Sequence, residues 1–365
     1  MEHVKNFIDL IGNTPLLQLP NDCDRPGPTI LAKLEFFNPG GSVKDRMAKY
    51  VIEKALHEGR LKPGDTIIDN TSGNAGISMA LVAAAYGLKA ILTTPEKTSQ
   101  EKVDTLRALG AEVIVTPTEA AWDDPRSCYQ MAKSMAQEHG YFYFNQYDNP
   151  DNIAAHYRTT GPEIWRQTDG KITHLVAGIG TGGTLSGAAQ FLKRQNPAVR
   201  SIAIDPPGSL FAHYIKSGQT CPTSTYLVEG IGSDMVTKAL DPTVIDDVIT
   251  VSDEDSFMTA RMLARRYGLL VGGSSGAVAY AAFRLAETLA PEAMIVAIFA
   301  DSGQRYITKC FSDVWMTRHG FSVKEAKSAS QKAPFALWPS SSCSLPPARP
   351  RKPRILCLRL WNLRN

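Results

Sequence analysis

One lysine stands in a setting that suits covalent chemistry. Residues 38–46 read NPGGSVKDR, so that Lys44 follows a tight turn made by proline and two glycines. We expect a helix over residues 47–57 with Lys44 in its first turn, where the helix dipole disfavours a cation and lowers its pKa. An amine with a lowered pKa forms Schiff bases and acts as a base near neutral pH. The alternative is a solvated lysine followed by an ordinary surface pair of Asp45 and Arg46.

A second motif offers a site for an anion. Residues 71–76 read TSGNAG and lie between an expected strand and an expected apolar helix. Free backbone N–H groups and hydroxyls at the start of a helix suit a carboxylate or a phosphate. Simple N-capping by Thr71 or Ser72 would explain one hydroxyl. It would not explain two hydroxyls together with Asn74 and two glycines.

A third motif permits two interpretations. Residues 178–184 read GIGTGGT between a strand and a helix, where backbone amides and threonine hydroxyls can hold a phosphate. The spacing also satisfies GxGxxG, and Asp205 ends the next strand about 20 residues on, which is typical of a dinucleotide site. Taken alone, this loop would favour NAD. Against NAD, Asp205 runs directly into the PPG of residues 206–208, and two other loops that suit anions would stay unexplained.

A fourth motif, GGSSG at residues 272–276, lies between an apolar strand and a helix. Its glycines permit close approach of the backbone, and Ser274 can present a neutral hydroxyl to a ligand. A helix cap is the alternative.

These motifs lie in a chain that alternates short β-branched runs with amphipathic helical stretches. The alternation predicts parallel sheets flanked by helices. With 365 residues, the chain is long enough for two packed domains or one large α/β unit. The expected strands include residues 66–69, 90–94, 112–116, 174–177, 201–205 and 294–299. The expected helices include residues 99–109, 128–138 and 256–267.

Composition indicates an ordinary globular protein. Apolar residues make up 43% of the chain and charged residues 21%. No run approaches the roughly 20 apolar residues that span a bilayer, and the N-terminus MEHVK has no basic segment followed by an apolar core, so that no secretory signal is expected. The six cysteines form no CxxC pair, so that neither a metal site nor a disulfide framework is expected. A reducing cytoplasm is the expected compartment.

The end of the chain differs from the rest. Residues 326–365 contain eight Lys or Arg and no Asp or Glu. Subtracting these eight charges from the total of +3 leaves −5 on residues 1–325, so that no nucleic-acid surface is expected there. Prolines and like charges predict that most of this tail is disordered. Its apolar and basic end could contact a membrane or a partner, and a non-native end is the alternative.

The four motifs in this order, together with IGNTPL at residues 11–16, resemble the fold-type II pyridoxal-phosphate enzymes, and among them the cysteine synthase and cystathionine β-synthase family. The resemblance covers residues from about 6 to 322. It implies pyridoxal 5'-phosphate as cofactor and a tryptophan synthase β-like α/β fold with two parallel-sheet domains flanked by helices. It also implies a catalytic core at residues 1–325, with a small mobile subdomain at about 45–150 inserted in the larger domain.

The resemblance implies roles for individual residues. Lys44 would hold the cofactor as a Schiff base and would remove and return the proton at the substrate Cα. Asn74 would form a hydrogen bond with the ring oxygen of the cofactor, and Ser274 would meet the pyridine nitrogen. The phosphate would be bound by Gly180, Thr181, Gly182, Gly183 and Thr184. The substrate would be bound by Thr71, Ser72, Gln146 and Gly230.

Two segments resemble different members of this family. Residues 228–232, VEGIG, resemble cystathionine β-synthase, whereas residues 159–165, TTGPEIW, resemble cysteine synthase. The favoured activity is β-replacement on serine or O-acetylserine, most of all the joining of serine and homocysteine to cystathionine. The alternative is cysteine synthase, which joins O-acetylserine and sulfide. Ala75 stands where the family usually has threonine, and Ser233 where cystathionine synthases usually have an aromatic residue, so both bear on substrate choice.

The pattern of the family begins near residue 6 and ends shortly after Phe321. We therefore expect neither a haem-binding extension nor adenosyl-ligand regulatory domains. We expect small amino-acid and thiol substrates, a homodimer, no nucleic-acid partner and no membrane partner. A catalytically idle relative that acts as a binding partner remains an alternative, although the intact Lys44 argues against it.

Overall fold

The computed structural model describes residues 3–20, 27–71, 73–96, 98–120 and 122–323. Within these ranges, helices cover two sheets made mainly of parallel strands, which confirms the α/β prediction. The predictions made for Ser72 and for the tail 326–365 fall outside the described residues. In the ranges that are described, no helix combines the length and the apolar character needed to cross a membrane.

The described chain contains ten strands and eleven α-helices, numbered in chain order. The strands are Leu16–Gln18 (β1), Thr29–Leu34 (β2), Thr66–Asn70 (β3), Lys89–Pro95 (β4), Glu112–Thr116 (β5), Phe142–Tyr143 (β6), His174–Gly178 (β7), Arg200–Asp205 (β8), Asp247–Thr250 (β9) and Met294–Phe299 (β10). The helices are Lys44–His57 (α1), Asn74–Ala85 (α2), Gln100–Ala108 (α3), Cys128–His139 (α4), Pro150–Arg158 (α5), Thr160–Gln167 (α6), Gly183–Gln195 (α7), Phe211–Ser217 (α8), Asp253–Tyr267 (α9), Gly273–Ala286 (α10) and Asp313–Arg318 (α11).

The larger sheet has six strands in the order β1-β2-β10-β7-β8-β9, and the smaller sheet has four in the order β5-β4-β3-β6. Every strand pair is parallel except the edge pair of β1 and β2. The central strands β7, β8 and β10 are buried along nearly their whole length, as expected for parallel strands covered by helices on both faces. The smaller sheet lies inside the segment 45–150 that was predicted as a subdomain, and the mobility of that segment stays a prediction.

Three helices that follow the predicted motifs begin earlier than the sequence indicated. The helices α2, α7 and α10 start at Asn74, Gly183 and Gly273, inside the 71–76, 178–184 and 272–276 motifs, whereas the sequence indicated that each helix follows its motif. Glycine and short polar residues have low helix propensity, which is why their pattern indicates a loop. In the structure they form first helical turns, whose amides have no acceptor inside the helix. The motifs therefore supply hydrogen-bond donors directly at helix starts.

A buried ion cluster holds the first turn of α1. Arg46 is 2% exposed, and its guanidinium contacts Glu35 at 2.6 Å and Glu163 at 2.7 Å. Glu35 directly follows β2 and Glu163 belongs to α6, so the cluster joins three parts of the fold. The alternative of a solvated surface pair of Asp45 and Arg46 is wrong, because both side chains are buried.

Candidate active site

The ends of β7 and β10 and the starts of α1, α7 and α10 surround a cavity of about 430 Å³. Three of the four sequence motifs contribute to its walls. The lining residues are Val43, Lys44, Ala177, Gly178, Gly180, Thr181, Gly182, Thr184, Gly230, Ile231, Ser274, Val278, Ile298 and Ala300.

Lys44 is the one charged residue among those that line this cavity in the described chain, and it is half-buried. Burial lowers the pKa of the Lys44 amine, although the nearby Asp301 carboxylate opposes this shift. An amine that loses its proton more readily is a better nucleophile and a better base. The lysine therefore has the property predicted from the sequence, with burial as the first cause.

The turn before Lys44 is fixed by a buried carboxylate. Asp45 accepts a hydrogen bond from the Gly40 amide at 2.5 Å and another from the Ser78 hydroxyl of α2. Burial raises the pKa of Asp45 to about 6, and these hydrogen bonds oppose the rise. The side chain next to the lysine is thus tied both to its own turn and to the smaller sheet's helix α2.

The 178–184 loop presents its backbone to the cavity. Gly182 has a φ of +90°, and a Cβ at this position would lie 2.7 Å from Leu240 Cα. A Cβ on Gly180 would lie 2.6 Å from the carbonyl oxygen of Gly230. These glycines let two backbone segments approach each other at the wall of the cavity.

The helix α7 starts in this loop and carries no acidic side chain in its first turn. Helix N-terminal amides with hydroxyls beside them attract anions, and Thr181 and Thr184 both line the cavity. Gly183 is not among the lining residues and packs against the Asn152 side chain. The structure therefore brings together four of the five residues that were predicted to bind phosphate.

Ser274 and Gly230 also meet at the cavity. A Cβ on Gly230 would lie 3.9 Å from Ser274 Oγ, so the two residues face each other across a short gap. The N-cap of α10 is Gly272, which has no side chain to cap the helix, and Ser274 lies within the first turn. The helix-cap interpretation of Ser274 is therefore wrong, and its hydroxyl lies at the cavity wall.

The other predicted site residues lie outside the set that lines the cavity. Asn74 donates to Asp301 Oδ2 at 2.7 Å and accepts a hydrogen bond from the Arg305 guanidinium. Gln146 is buried and donates to the Asn70 carbonyl at 3.4 Å. The Thr71 hydroxyl accepts from the Gly73 amide at 3.4 Å. The roles predicted for Asn74, Gln146 and Thr71 stay predictions.

Asp301 forms a buried acidic centre that no sequence motif pointed to. It accepts hydrogen bonds from Asn74 and from the Tyr306 hydroxyl, each at 2.7 Å. Its Oδ1 has no hydrogen-bond partner among the described residues, and burial raises its pKa. The available signal was its position just after β10, because sites in parallel sheets form beyond the carboxyl ends of strands.

A second buried carboxylate lies at the end of β3. Asp69 accepts hydrogen bonds from the amides of Asn145 at 3.1 Å and Gln146 at 3.4 Å. Burial raises the pKa of Asp69 to about 7 against the opposing effect of these hydrogen bonds. The carboxylate, two residues before the 71–76 loop in the chain, therefore has surroundings that favour its protonated form.

An ion cluster connects the smaller sheet to the wall of the cavity. Glu229, which precedes Gly230, pairs with Lys102 of α3 and with Lys309. Burial alone would raise the pKa of Glu229, but the charges of both lysines hold it below its usual range. This contact links two parts of the chain that lie 127 residues apart.

Comparison with known proteins places this geometry in a family. The family described as "Pyridoxal-phosphate dependent enzyme" matches residues 8–301. The chain is 46% identical to a cystathionine beta-synthase of Apis mellifera over 319 residues, which are 87% of this chain and 63% of the relative. It is 45% identical to a cystathionine beta-synthase of Saccharomyces cerevisiae over 326 residues, 86% of this chain and 64% of the relative. The chain thus spans less than two thirds of the length of these relatives.

Solved structures agree with this placement. A crystal structure of O-ureido-L-serine synthase superimposes with a TM-score of 0.79 at 33% identity, covering 90% of this chain and 98% of that one. A crystal structure of an O-acetylserine dependent cystathionine beta-synthase from Helicobacter pylori gives a TM-score of 0.77 at 40% identity, covering 85% and 99%. The predicted resemblance to fold-type II enzymes is confirmed.

The chemistry of the cavity fits the cofactor of this family. A single amine stands among lining residues that include no carboxylate in the described chain, and a helix start suited to phosphate borders the same space. Asp205, which a dinucleotide site would need, is buried and accepts a hydrogen bond from the Ala212 amide at 2.8 Å. The NAD interpretation is wrong, and pyridoxal phosphate is confirmed as the cofactor. The chain belongs to the family of pyridoxal-phosphate dependent enzymes.

Proposed function

We propose that this chain catalyses a β-replacement reaction that joins serine and homocysteine to give cystathionine. The observation that carries the proposal is its 42–46% identity to enzymes named cystathionine beta-synthase over 86–93% of this chain. The lining of the cavity supports it, because an amine and an anion-binding helix start are what the cofactor requires.

The chain's own chemistry begins with Lys44. When bound, pyridoxal phosphate withdraws electrons from the amino-acid carbon that loses its proton. The Lys44 amine is proposed to hold the cofactor and to carry the proton to and from the substrate Cα, which its lowered pKa favours. Asp45 and Arg46, both buried, fix the turn that carries the amine and thereby narrow the positions that it can reach.

The walls of the cavity are proposed to orient the cofactor. The 178–184 loop would hold the phosphate through its amides and through Thr181 and Thr184. Ser274 would place a neutral hydroxyl at the ring nitrogen, which stabilises a protonated ring less than a carboxylate would and so favours β-elimination over transamination. Asn74 would reach the ring oxygen with the second hydrogen of its Nδ2, since the first is donated to Asp301.

The first substrate is proposed to bind at the start of α2. Thr71, Ser72 and neighbouring amides would hold its carboxylate together with Gln146. Gly230 carries no side chain beside Ser274, which leaves room for the second amino acid. Sulfide would need no such room, so this gap favours homocysteine as the nucleophile.

A second pair of substrates is O-acetylserine and sulfide, which would make the chain a cysteine synthase. The similar Helicobacter pylori protein is described as O-acetylserine dependent, which keeps O-acetylserine open as the first substrate. Ala75 stands in the 71–76 loop and supplies no hydroxyl there, so it bears on the same choice.

A two-by-two assay tests the proposal. Purified enzyme with pyridoxal phosphate is given serine or O-acetylserine together with homocysteine or sulfide, and kcat/KM is measured for each pair. We expect the highest value with homocysteine as the nucleophile. Lys44→Ala serves as the control for uncatalysed exchange. By far the highest kcat/KM for O-acetylserine with sulfide would contradict the proposal and identify a cysteine synthase.

We also propose a homodimer in the cytoplasm, built on a core of residues 1–325. Phe7, Leu10 and Phe37 are 51%, 48% and 59% exposed, and we propose that the dimer interface covers them. Light scattering of the purified protein tests the oligomeric state. A monomer at micromolar concentration would contradict the dimer.

A further inference from the structure

One helix stands behind both threonines of the 178–184 loop. On α5, Asn152 and His156 lie one turn apart and point to the same side, where α5 packs against α7. The Nδ2 of Asn152 lies 3.0 Å from Thr181 Oγ1, and the Nε2 of His156 lies 3.1 Å from Thr184 Oγ1. Both α5 side chains are at most 1% exposed, so water does not compete for these hydrogen bonds.

The contact with Asn152 sets the direction of the Thr181 hydroxyl. The same Nδ2 donates to the Gln146 carbonyl oxygen at 2.8 Å, and a carbonyl oxygen accepts only, so the amide nitrogen must face this way. The amide nitrogen therefore donates to Thr181 Oγ1 as well. A hydroxyl has one hydrogen, and accepting from Asn152 leaves the hydrogen of Thr181 for an acceptor in the cavity.

His156 can set the Thr184 hydroxyl in the same way. Its Nδ1 lies 2.8 Å from the Thr160 hydroxyl, so that each ring nitrogen faces one threonine. Burial lowers the pKa of His156 well below its usual range, which leaves one donor and one acceptor on the ring. With the proton on Nε2, Thr160 donates to Nδ1 and Thr184 accepts from Nε2. The hydrogen of Thr184 is then free for the cavity.

We propose that Asn152 and His156 are positioning residues that turn the Thr181 and Thr184 hydroxyls into donors aimed at the phosphate of the cofactor. With the proton on Nδ1 instead, His156 Nε2 would accept the hydrogen of the Thr184 hydroxyl. Thr184 would then have no hydrogen to donate to the phosphate. The inference rests on the proposed role of the 178–184 loop as the phosphate site.

The test compares two ligands that differ only in the phosphate. Apo-protein is titrated with pyridoxal phosphate and with pyridoxal. The affinity for pyridoxal phosphate divided by the affinity for pyridoxal isolates the contribution of the phosphate group to binding. We expect His156→Leu to lower this ratio about fivefold to tenfold, the effect of one misdirected hydrogen bond. The affinity for pyridoxal itself should stay nearly constant, which a general loss of structure would not allow.

Two further variants separate positioning from packing. Thr184→Val should lower the ratio, and His156→Leu should add nothing to it in that background. Asp151→Asn is the matched control on the same helix, because Asp151 pairs with Lys54 at 2.5 Å and does not contact the loop. An equal loss of the ratio in Asp151→Asn, or an additive loss in the double variant, would overturn the positioning role.

Different results would contradict the positioning role of His156 and the assignment of the 178–184 loop as the phosphate site. If the unaltered protein binds pyridoxal as tightly as pyridoxal phosphate, the loop is not the phosphate site. If the unaltered protein discriminates and His156→Leu discriminates equally well, the orienting role alone is wrong. Nitrogen-15 NMR of the histidine rings in the unaltered protein needs no variant that could fail to fold. A proton on Nε2 of His156 supports the proposal, and a proton on Nδ1 alone overturns it.

Discussion

The 178–184 loop and the 71–76 loop have similar sequences and different surroundings. Both follow the carboxyl end of a parallel strand and both start a helix. In the first loop, a Cβ on Gly180 would meet the Gly230 carbonyl at 2.6 Å. In the second loop, a Cβ on Gly73 would meet no atom of the described residues within 4 Å, whereas a Cβ on Gly76 would lie 3.0 Å from Thr71 Cγ2. The backbone at Gly180 is therefore packed against another backbone, whereas the backbone at Gly73 has open space beside it.

Their polar groups also differ in what they contact. Thr181 and Thr184 line the cavity and are held from behind by α5. Asn74 instead contacts Asp301 and Arg305, which lie 227 and 231 residues later in the chain. A group that binds the same ligand in every turnover is best held rigidly, because its ordering cost is then met on folding. This difference supports the proposal that the 178–184 loop holds the cofactor, which stays bound from one turnover to the next, while Asn74 of the 71–76 loop depends on its contacts with Asp301 and Arg305.

The largest predicted difference between the two loops is a dependence on pH. Asp69, directly before the 71–76 loop, has a pKa raised to about 7 from an ordinary value of 3.8, because it is fully buried. Between these values the folded state keeps a proton that the unfolded state releases, so the free energy of unfolding falls as the pH rises. We expect a loss on the order of 3 kcal/mol between pH 4 and pH 7 that Asp69→Asn does not show.

Chemical denaturation of both proteins from pH 4 to pH 8 measures this difference. Because other groups titrate equally in both proteins, the difference between the two curves isolates Asp69. A constant difference across the range would mean that Asp69 titrates like an exposed carboxylate.

A matched pair of substitutions tests the difference in packing between the two loops. Gly180→Ala should lower the free energy of unfolding by about 1–3 kcal/mol and weaken the binding of pyridoxal phosphate, because the new methyl group overlaps a backbone oxygen. Gly73→Ala should change stability by less than about 0.5 kcal/mol, because its methyl group enters open space. Thermal unfolding and cofactor titration measure both effects. Equal losses in the two variants would show that the loops do not differ in packing.

The smallest effect concerns the contact between the sheets. Lys102→Gln removes one of the two partners of Glu229 and leaves Lys309. Partly exposed ion pairs contribute about 0.2–1 kcal/mol, so the loss of stability should be of that size and should shrink at high salt. Denaturation at low and high ionic strength provides the measurement. A loss above about 2 kcal/mol, or one that salt does not change, would show that packing rather than charge joins α3 to the cavity wall.

Local patterns in the sequence predicted the lysine turn, the loops and the alternation of strands and helices. Each of these depends on neighbours within a few residues. The resemblance to the family, and not a local pattern, placed Lys44, Thr181 and Ser274 at one site. The partners behind them were not predicted. Asn74 meets Asp301 across 227 residues, and His156 meets Thr184 from a different helix. Such contacts depend on how helices pack, and no spacing in one sequence encodes that packing directly.

The start of α10 shows how tertiary packing overrides local helix propensity. Glycine and serine at residues 273–276 indicate a loop by propensity, yet they form the first turn of α10 because tertiary packing outweighs propensity. A Cβ on Gly276 would run into the backbone of α9 at Ser256, so the glycine is required by helix contact rather than by a turn. The sequence pattern therefore assigned these residues the wrong local structure.

The attachment of the cofactor to Lys44 is tested most directly by chemical reduction. Purified protein loaded with pyridoxal phosphate is treated with borohydride, digested and analysed by mass spectrometry for the pyridoxyl group. The half-buried amine in the cavity of about 430 Å³ predicts that the label is found on Lys44 and is absent after reduction of Lys44→Ala. A label on another lysine of the unaltered protein, or an equal label in the variant, would contradict the assignment of the active site.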